Sequence, residues 1–304
     1  MKRNELKGLT TEQPNRASRN LDLRSALEIA RIMNREDRKV AGAVRRALPL
    51  IAKAIDAAAQ AISAGGRLIY VGAGSSGRMA ALDATECPPT FNLDPKVVQY
   101  LMAGGEKALS AASEVSEDSA SAGERDMAKR RPTRHDVVVG IAASGRTPYT
   151  IAALDYARQR GAKTVALTSN HNAPLAQVAD IAIVVDVGPE VLSGSTRMKA
   201  GTAQKMVLNM ISTGAMARLG YIYDNQMVHV SPKNGKLRER GLSIIQELAH
   251  ASRPQAERAL KNSENSVPVA LVSLLAKVDS AAARRLLQSA RGNLRRAIAA
   301  AKEP

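Results

Sequence analysis

RLIYVGAGSSGRMAALDATECPPTF, residues 67–91, decides how the chain folds. Its first part, RLIYVG (67–72), is a short run of Ile, Leu, Val and Tyr, the composition of a β-strand buried on both faces. The small residues and hydroxyls of GAGSSG (72–77) follow, and then a segment of helix length. Strand, tight loop and helix in that order open a parallel α/β sheet, because parallel neighbours must be joined by a crossover. The same stretch points to two chemistries. Gly72, Gly74 and Gly77 fit G-x-G-x-x-G, the dinucleotide fingerprint, while the helix runs into Glu86-Cys87-Pro88-Pro89, where the prolines are expected to end it.

Working outward, four more β-type runs occur at VVQYLM (97–102), DVVVGIA (136–142), KTVALT (163–168) and DIAIVVDV (180–187), with helix-length segments between most of them. Continuous apolar strands with long connections predict a doubly wound α/β domain: a five-stranded parallel sheet in the flavodoxin-like order 2-1-3-4-5, covered by helices. In that order the first and third strands lie side by side at the switch point. GAGSSG then faces AASGRT (142–147), and both loops lead into helix N-termini, whose partial positive charge favours anions. Either loop alone also reads as a tight turn with Ser and Thr as helix caps. Two converging loops argue for a bound phosphate.

A dinucleotide site needs a carboxylate about 20 residues beyond the glycines to hold the ribose. Asp94 has nearly that spacing but precedes the second strand, and Glu106 follows the strand too late. A single phosphate held by hydroxyls therefore fits better than a pyrophosphate, and no nicotinamide cofactor is expected. G-K-[ST] is absent, which excludes P-loop chemistry.

Upstream, residues 1–20 read as a polar arm. From Leu21 to about Ser63 two apolar series, Leu23, Leu27, Ala30, Met33 and Val40, Val44, Leu48, Ile51, Ile55, recur at helical spacing and predict a helical lead-in with one buried face. Downstream, EVLSGSTRMKAGTAQKMVLNMISTGAMARLG (190–220) is a hydroxyl-rich loop opening a long helix, with Arg197 and Lys199 near its start. Cations there oppose the helix dipole, so a nearby anion is expected to offset them; ordinary surface charge is the alternative. Three short helices, opening at Arg253, Pro268 and Ser280, form a small terminal bundle. The expected domains are 1–60 (arm and helices), 61–225 (sheet domain) and 245–304 (helical domain).

Composition narrows the function classes. Lys and Arg number 44 against 28 Asp and Glu, a net charge of +16, but the excess is spread along the chain. Aromatic platforms for base stacking are few, with six Tyr, one Phe and no Trp, so no nucleic acid is expected as a partner. Charged residues interrupt every hydrophobic segment before the about 18 apolar residues that a membrane span needs. MKRNELKG lacks the apolar stretch of a signal peptide, and the single Cys87 excludes an intrachain disulfide, so the expected location is cytoplasmic. His135, His171, His229 and His250 lack metal-ligand spacing, and no metal is expected.

GAGSSGRMAALDATECPPTF, GIAASGRTPY and EVLSGSTRMKAGTAQKMVLNMIST together resemble the N-acetylmuramic acid 6-phosphate etherases of the sugar isomerase (SIS) superfamily. The likeness extends to TTEQPNRASRNLD and MNREDRKV upstream and to a three-helix, UBA-like tail downstream. Sugar-phosphate isomerases share only the loop pattern, whereas ECPPTF and GSTRMKAGTAQK resemble this branch alone. Ser75, Thr85 and Ser193 stand where the family commonly has Thr, Ser and Thr, and His229 and Lys233 where it usually has Asp and Thr.

The resemblance implies cleavage of the lactyl ether of a muramyl sugar phosphate without a cofactor. The open-chain aldehyde makes the C2 proton acidic, a carboxylate removes it, lactate leaves from C3 and water adds to the unsaturated intermediate. Carried onto this chain, the acid that assists lactate departure falls on Glu86 and its partner on Glu117. The candidate phosphate- and substrate-binding residues are Gly74, Ser75 and Ser76, then Ser144, Gly145, Arg146 and Thr147, then Ser195, Thr196, Arg197 and Lys199. A twofold dimer is expected to cover the apolar faces around a single SIS sheet. The alternative is a non-catalytic regulator that binds a sugar phosphate, as in a glucokinase-regulating protein of the same superfamily. That regulator resembles two SIS domains in tandem, whereas 304 residues here accommodate one sheet.

Overall fold

The structure, a computed structural model, describes residues 8–111, 114–232 and 234–302. Lys233 lies outside the described residues. The chain divides into two compact units, Met1–Thr85 with Lys96–Ser212, and Glu86–Pro95 with Thr213–Pro304.

In the first unit β1 (Leu68–Gly72), β2 (Val98–Met102), β3 (Val137–Ile141), β4 (Lys163–Thr168) and β5 (Ile181–Val184) pair in parallel in the order 2-1-3-4-5, as the strand runs predict. Every position of β1 and β3 is buried, which is why both read as unbroken apolar runs. Gly72 is level with Met102 on one side and Ile141 on the other, so the loops after β1 and β3 leave the same sheet edge side by side. At the opposite edge Arg67 donates to Asp136 through Nε (3.0 Å) and Nη2 (2.8 Å), and the Thr133 backbone N–H adds a bond of 2.8 Å. Burial pushes the Asp136 carboxyl up, but these bonds outweigh it and hold the group below its ordinary value.

The lead-in is a single helix, α1 (Ala26–Ser63), opened by a capping box between Ser25 and Glu28. Its buried stripe, Val40, Ala43, Val44, Ala47, Ile51, Ala54 and Ala58, keeps helical spacing. The first apolar series is not buried: Leu23 is 78% exposed and Leu27 59%. Further on, Leu48, expected on the buried face, is exposed as well.

α2 (Gly74–Phe91) departs from expectation, since Pro88 and Pro89 lie inside it and do not end it. Their missing N–H groups affect only its last turn, where the Thr90 hydroxyl donates to the Glu86 carbonyl (2.7 Å). A Cβ on Gly77 would fall 2.8 Å from Met102 Cγ and 3.0 Å from the Gly72 carbonyl oxygen. Close contact of helix and strand therefore accounts for Gly72 and Gly77 of the fingerprint. Buried Asp83 accepts from Tyr70 Oη (2.8 Å), Asn209 Nδ2 (2.6 Å) and Ser212 Oγ (3.1 Å), joining β1 and α2 to the long helix that follows the sheet. The other helices of this unit are α3 (Lys107–Ser110), α4 (Glu114–Glu117), α5 (Ala120–Arg130), α6 (Pro148–Gln159), α7 (Pro174–Gln177) and the start of α8 (Lys199–Leu219).

The second unit holds α9 (Gly235–Ala249), α10 (Arg253–Asn262), α11 (Val267–Ala276), α12 (Ser280–Ser289) and α13 (Leu294–Ala300) around a core that includes Leu242, Ile245, Leu260, Leu271 and Leu294. α10 and α12 follow the Ser252 and Asp279 caps, α11 opens at Val267 with Pro268 as its second residue, and α13 makes the tail one helix longer than the three that the sequence predicts. His229 packs on Tyr221, with ring centroids 4.6 Å apart, and its Nε2 lies 3.1 Å from the Gly292 carbonyl oxygen. Burial lowers its pKa, outweighing the contact with the Gly292 carbonyl. No helix among the described residues is long and apolar enough to cross a membrane.

Candidate active site

A cleft of about 410 Å³ opens at the sheet edge where the loops after β1 and β3 emerge. Ala73, Gly74, Ser75 and Ser76 line it from the first loop and the start of α2, and Ala142, Ala143, Ser144 and Thr147 from the second. The expected convergence at the switch point is therefore present. The leading N–H groups of a helix have no partner within it, so the start of α2 offers donors and a positive dipole end to an anion. Thr147 is the N-cap of α6, but its hydroxyl makes no capping bond. That hydroxyl remains available to a ligand.

The second loop is rigidly built. The Ala143 carbonyl accepts from the Ser169 backbone N–H (3.0 Å), Thr168 Oγ1 (3.2 Å) and Asn170 Nδ2 (2.9 Å). Gly145 has φ +67°, and a Cβ there would fall 2.3 Å from Ala173 Cβ, so only glycine completes the turn. Ser144 Oγ accepts from the Arg146 backbone N–H at 3.2 Å. Gly145 and Arg146 shape the loop and are not among the cleft-lining residues.

Glu117, at the end of α4, also lines the cleft. Its Oε1 lies 2.7 Å from where a Cβ on Gly74 would stand, which brings a carboxylate against the first residue of α2. The cleft thus combines helix-terminal donors and hydroxyls with a group able to accept a proton.

Of the third segment only Thr196 among the expected binding residues reaches the cleft, together with Gly194. Ser195 is half-buried and Arg197 exposed, and neither lines it. Lys199 is corrected outright: it is 1% exposed, and its Nζ donates to Glu36 Oε2 at 2.8 Å. Glu190 caps the same helix, accepting from the backbone N–H of Lys199 (3.0 Å) and Ala200 (2.9 Å). The anion that the Lys199 cation calls for is the protein's own. Glu86 is exposed and likewise absent from the cleft lining.

Two charged lining residues, Arg78 and Glu12, were missed. Arg78 lies one turn into α2 and donates from Nε to the Leu109 carbonyl (3.0 Å) and from Nη2 to that of Ala108 (3.0 Å), holding the α3 turn against the cleft. Its distance of four residues from Gly74 on one helix face was a usable signal. Glu12 comes from the arm at residues 1–20, and no local pattern marks it. Among the described residues there is no group of three or more His, Cys, Asp or Glu arranged to hold a metal.

Two family models match the chain: the glucokinase regulatory protein N-terminal SIS domain over residues 50–158, and the SIS domain over residues 108–213. The N-acetylmuramic acid 6-phosphate etherase 1 of Bacillus licheniformis is 47% identical over 98% of this chain and 98% of its own length. The N-acetylmuramic acid 6-phosphate etherase of Serratia proteamaculans is 50% identical over 96% of this chain and 99% of its own. Among solved structures, a phosphoheptose isomerase from Francisella tularensis superposes with a TM-score of 0.48 at 18% identity, covering 62% of this chain and 100% of that one. The near-complete, near-half identity to the etherases settles the family: the chain belongs to the N-acetylmuramic acid 6-phosphate etherases.

Proposed function

We propose that this protein is a carbon–oxygen lyase that cleaves the D-lactyl ether of N-acetylmuramic acid 6-phosphate, giving N-acetylglucosamine 6-phosphate and D-lactate in the recycling of cell-wall sugar. The observation that carries the reading is the Glu117 carboxylate held against the N-terminal end of α2, in a cleft lined by hydroxyls from two loops. Ser75, Ser76, Ser144 and Thr147, with the leading N–H groups of α2, bind the 6-phosphate; Gly74 leaves room for Glu117, and Thr196 lines the sugar end. With the ring open, the C1 aldehyde acidifies the C2 proton and Glu117 removes it as general base. The C3–O bond then breaks, the lactate oxygen takes a proton, and water adds at C3 of the unsaturated aldehyde. Atoms balance with one water consumed, and no redox cofactor enters. The resemblance assigns the lactate-protonating acid to Glu86.

The working form is a cytoplasmic homodimer. Leu23, Leu27 and Leu192, the last 57% exposed, are large apolar side chains of the kind a twofold interface removes from water. The regulator reading draws only on the SIS match over residues 50–158, whereas the relatives similar along the whole chain are named etherases. Incubation with N-acetylmuramic acid 6-phosphate and assay of D-lactate tests the proposal. Catalytic lactate release is expected, and binding without turnover would overturn it in favour of the regulator.

A further inference from the structure

Glu12 enters the cleft from the short turn Thr10–Glu12, and the surrounding structure holds it there. The Thr10 backbone N–H donates to Asn170 Oδ1 (2.8 Å), and Asn170 Nδ2 donates to Thr11 Oγ1 (3.2 Å). The Gly194 N–H donates to the Thr11 carbonyl (3.2 Å) and the Ser193 hydroxyl to that of Glu12 (3.1 Å). Asn170 is the residue that also braces Ala143, so one buried amide ties the arm to the second loop. Gly194, at φ +77°, would carry a Cβ 3.2 Å from Glu12 Oε2, so glycine keeps that side of the carboxylate open.

The Thr10 and Glu12 backbone N–H groups and all three carbonyls of this turn are engaged, yet the half-buried Glu12 carboxylate accepts no hydrogen bond among the described residues. A carboxylate only accepts, so the group that completes it must donate. At neutral pH the sugar's phosphate is mostly the dianion and, like the lactate carboxylate, acts as an acceptor, and both are repelled by a like charge. The donors of a muramyl sugar phosphate are its hydroxyls and its acetamido N–H. We infer that Glu12 is a substrate-binding residue that accepts hydrogen bonds from those sugar donors and sets the sugar's orientation while the loops hold its phosphate, with Asn170 as its positioning residue. This inference rests on the reading of the cleft as a sugar-phosphate site.

The test measures affinity for N-acetylglucosamine 6-phosphate and for inorganic phosphate by calorimetry on full-length parent, Glu12→Gln, Glu12→Asp and Asn170→Ala proteins, with circular dichroism to confirm folding. Loss of hydrogen bonds to a charged acceptor is expected to weaken sugar-phosphate binding roughly tenfold or more in Glu12→Gln. Inorganic phosphate should bind as well as before or tighter, because a repelling charge is gone. Glu12→Asp should fall between parent and Glu12→Gln, and Asn170→Ala should weaken the sugar phosphate more than the phosphate. Parental sugar-phosphate affinity in folded Glu12→Gln and Glu12→Asp overturns the inference alone. Equal losses for both ligands also overturn it, since they would make Glu12 part of the loop framework. A parent that binds no sugar phosphate overturns the reading of the cleft and this inference with it.

Discussion

The Glu117 carboxylate occupies space that a side chain at Gly74 would need, with Oε1 2.7 Å from where that Cβ would stand. Gly74→Ala is therefore a displacement experiment on the base. The obstructing atom ends a flexible side chain and can swing aside, and the left-handed backbone (φ +51°) adds a cost of about 1–2 kcal/mol, so the variant should fold with modestly reduced stability. Moving a reacting group by about 1 Å costs on the order of 10²-fold in rate, and exchange of the C2 proton of N-acetylglucosamine 6-phosphate with deuterated water should fall by that amount. Undiminished exchange in folded Gly74→Ala would remove Glu117 from the base role.

The two acid/base assignments separate on mutation. Glu117→Gln should lose both C2 exchange and lactate release. Glu86→Gln keeps the base and removes the donor, so lactate release should fall by roughly 10²-fold or more while exchange persists. Loss of exchange in Glu86→Gln with exchange retained in Glu117→Gln would reverse the roles, and retained lactate release in both variants would refute the pair.

The two loops were legible in sequence because each is a local feature: a buried strand, small residues and a helix start follow one another within about ten positions, and the strand order brings the ends together. What escaped depends on partners distant along the chain. Lys199 looked available for a ligand because Glu36, which neutralises it, lies 163 residues away. Glu12 looked like part of a polar arm because its fixing contacts come from Asn170 and Ser193. Pro88 and Pro89 misled for a different reason: they fall so near the natural end of α2 that the hydrogen bonds they forgo are few. Leu23 and Leu27 keep helical spacing without a buried face, because periodicity reports a stripe and not what covers it.

Phosphate recognition is tested at Ser144, whose hydroxyl both lines the cleft and accepts the Arg146 N–H (3.2 Å). Ser144→Ala deletes one donor to a doubly charged ligand, and affinity for N-acetylglucosamine 6-phosphate should fall roughly tenfold. Inorganic phosphate should weaken in parallel, which separates this residue from Glu12. Calorimetry showing unchanged affinity for both ligands would locate the phosphate away from the second loop.

The buried pair of Lys199 and Glu36 predicts how stability depends on pH. Burial raises the Glu36 pKa, but hydrogen bonds from Lys199 (2.8 Å), Lys39 (2.5 Å) and Asn15 (3.0 Å) outweigh it and bring the group down to about 2. A carboxylate whose folded pKa lies below its unfolded one stabilises the fold fully above the ordinary value of 4.5, and the contribution is lost as pH falls toward 2. Lys199→Met removes the buried cation and leaves a carboxylate short of a partner, an arrangement that costs about 3–5 kcal/mol at neutral pH. In that variant Glu36 takes up a proton at higher pH, so its deficit relative to the parent should shrink as pH falls from 4.5 toward 2. Urea unfolding at pH 7, 4 and about 2.5 measures this, since the linear extrapolation compares parent and variant at each pH. A deficit independent of pH would mean that Lys199 acts by packing, and one that grows on acidification would contradict the lowered pKa.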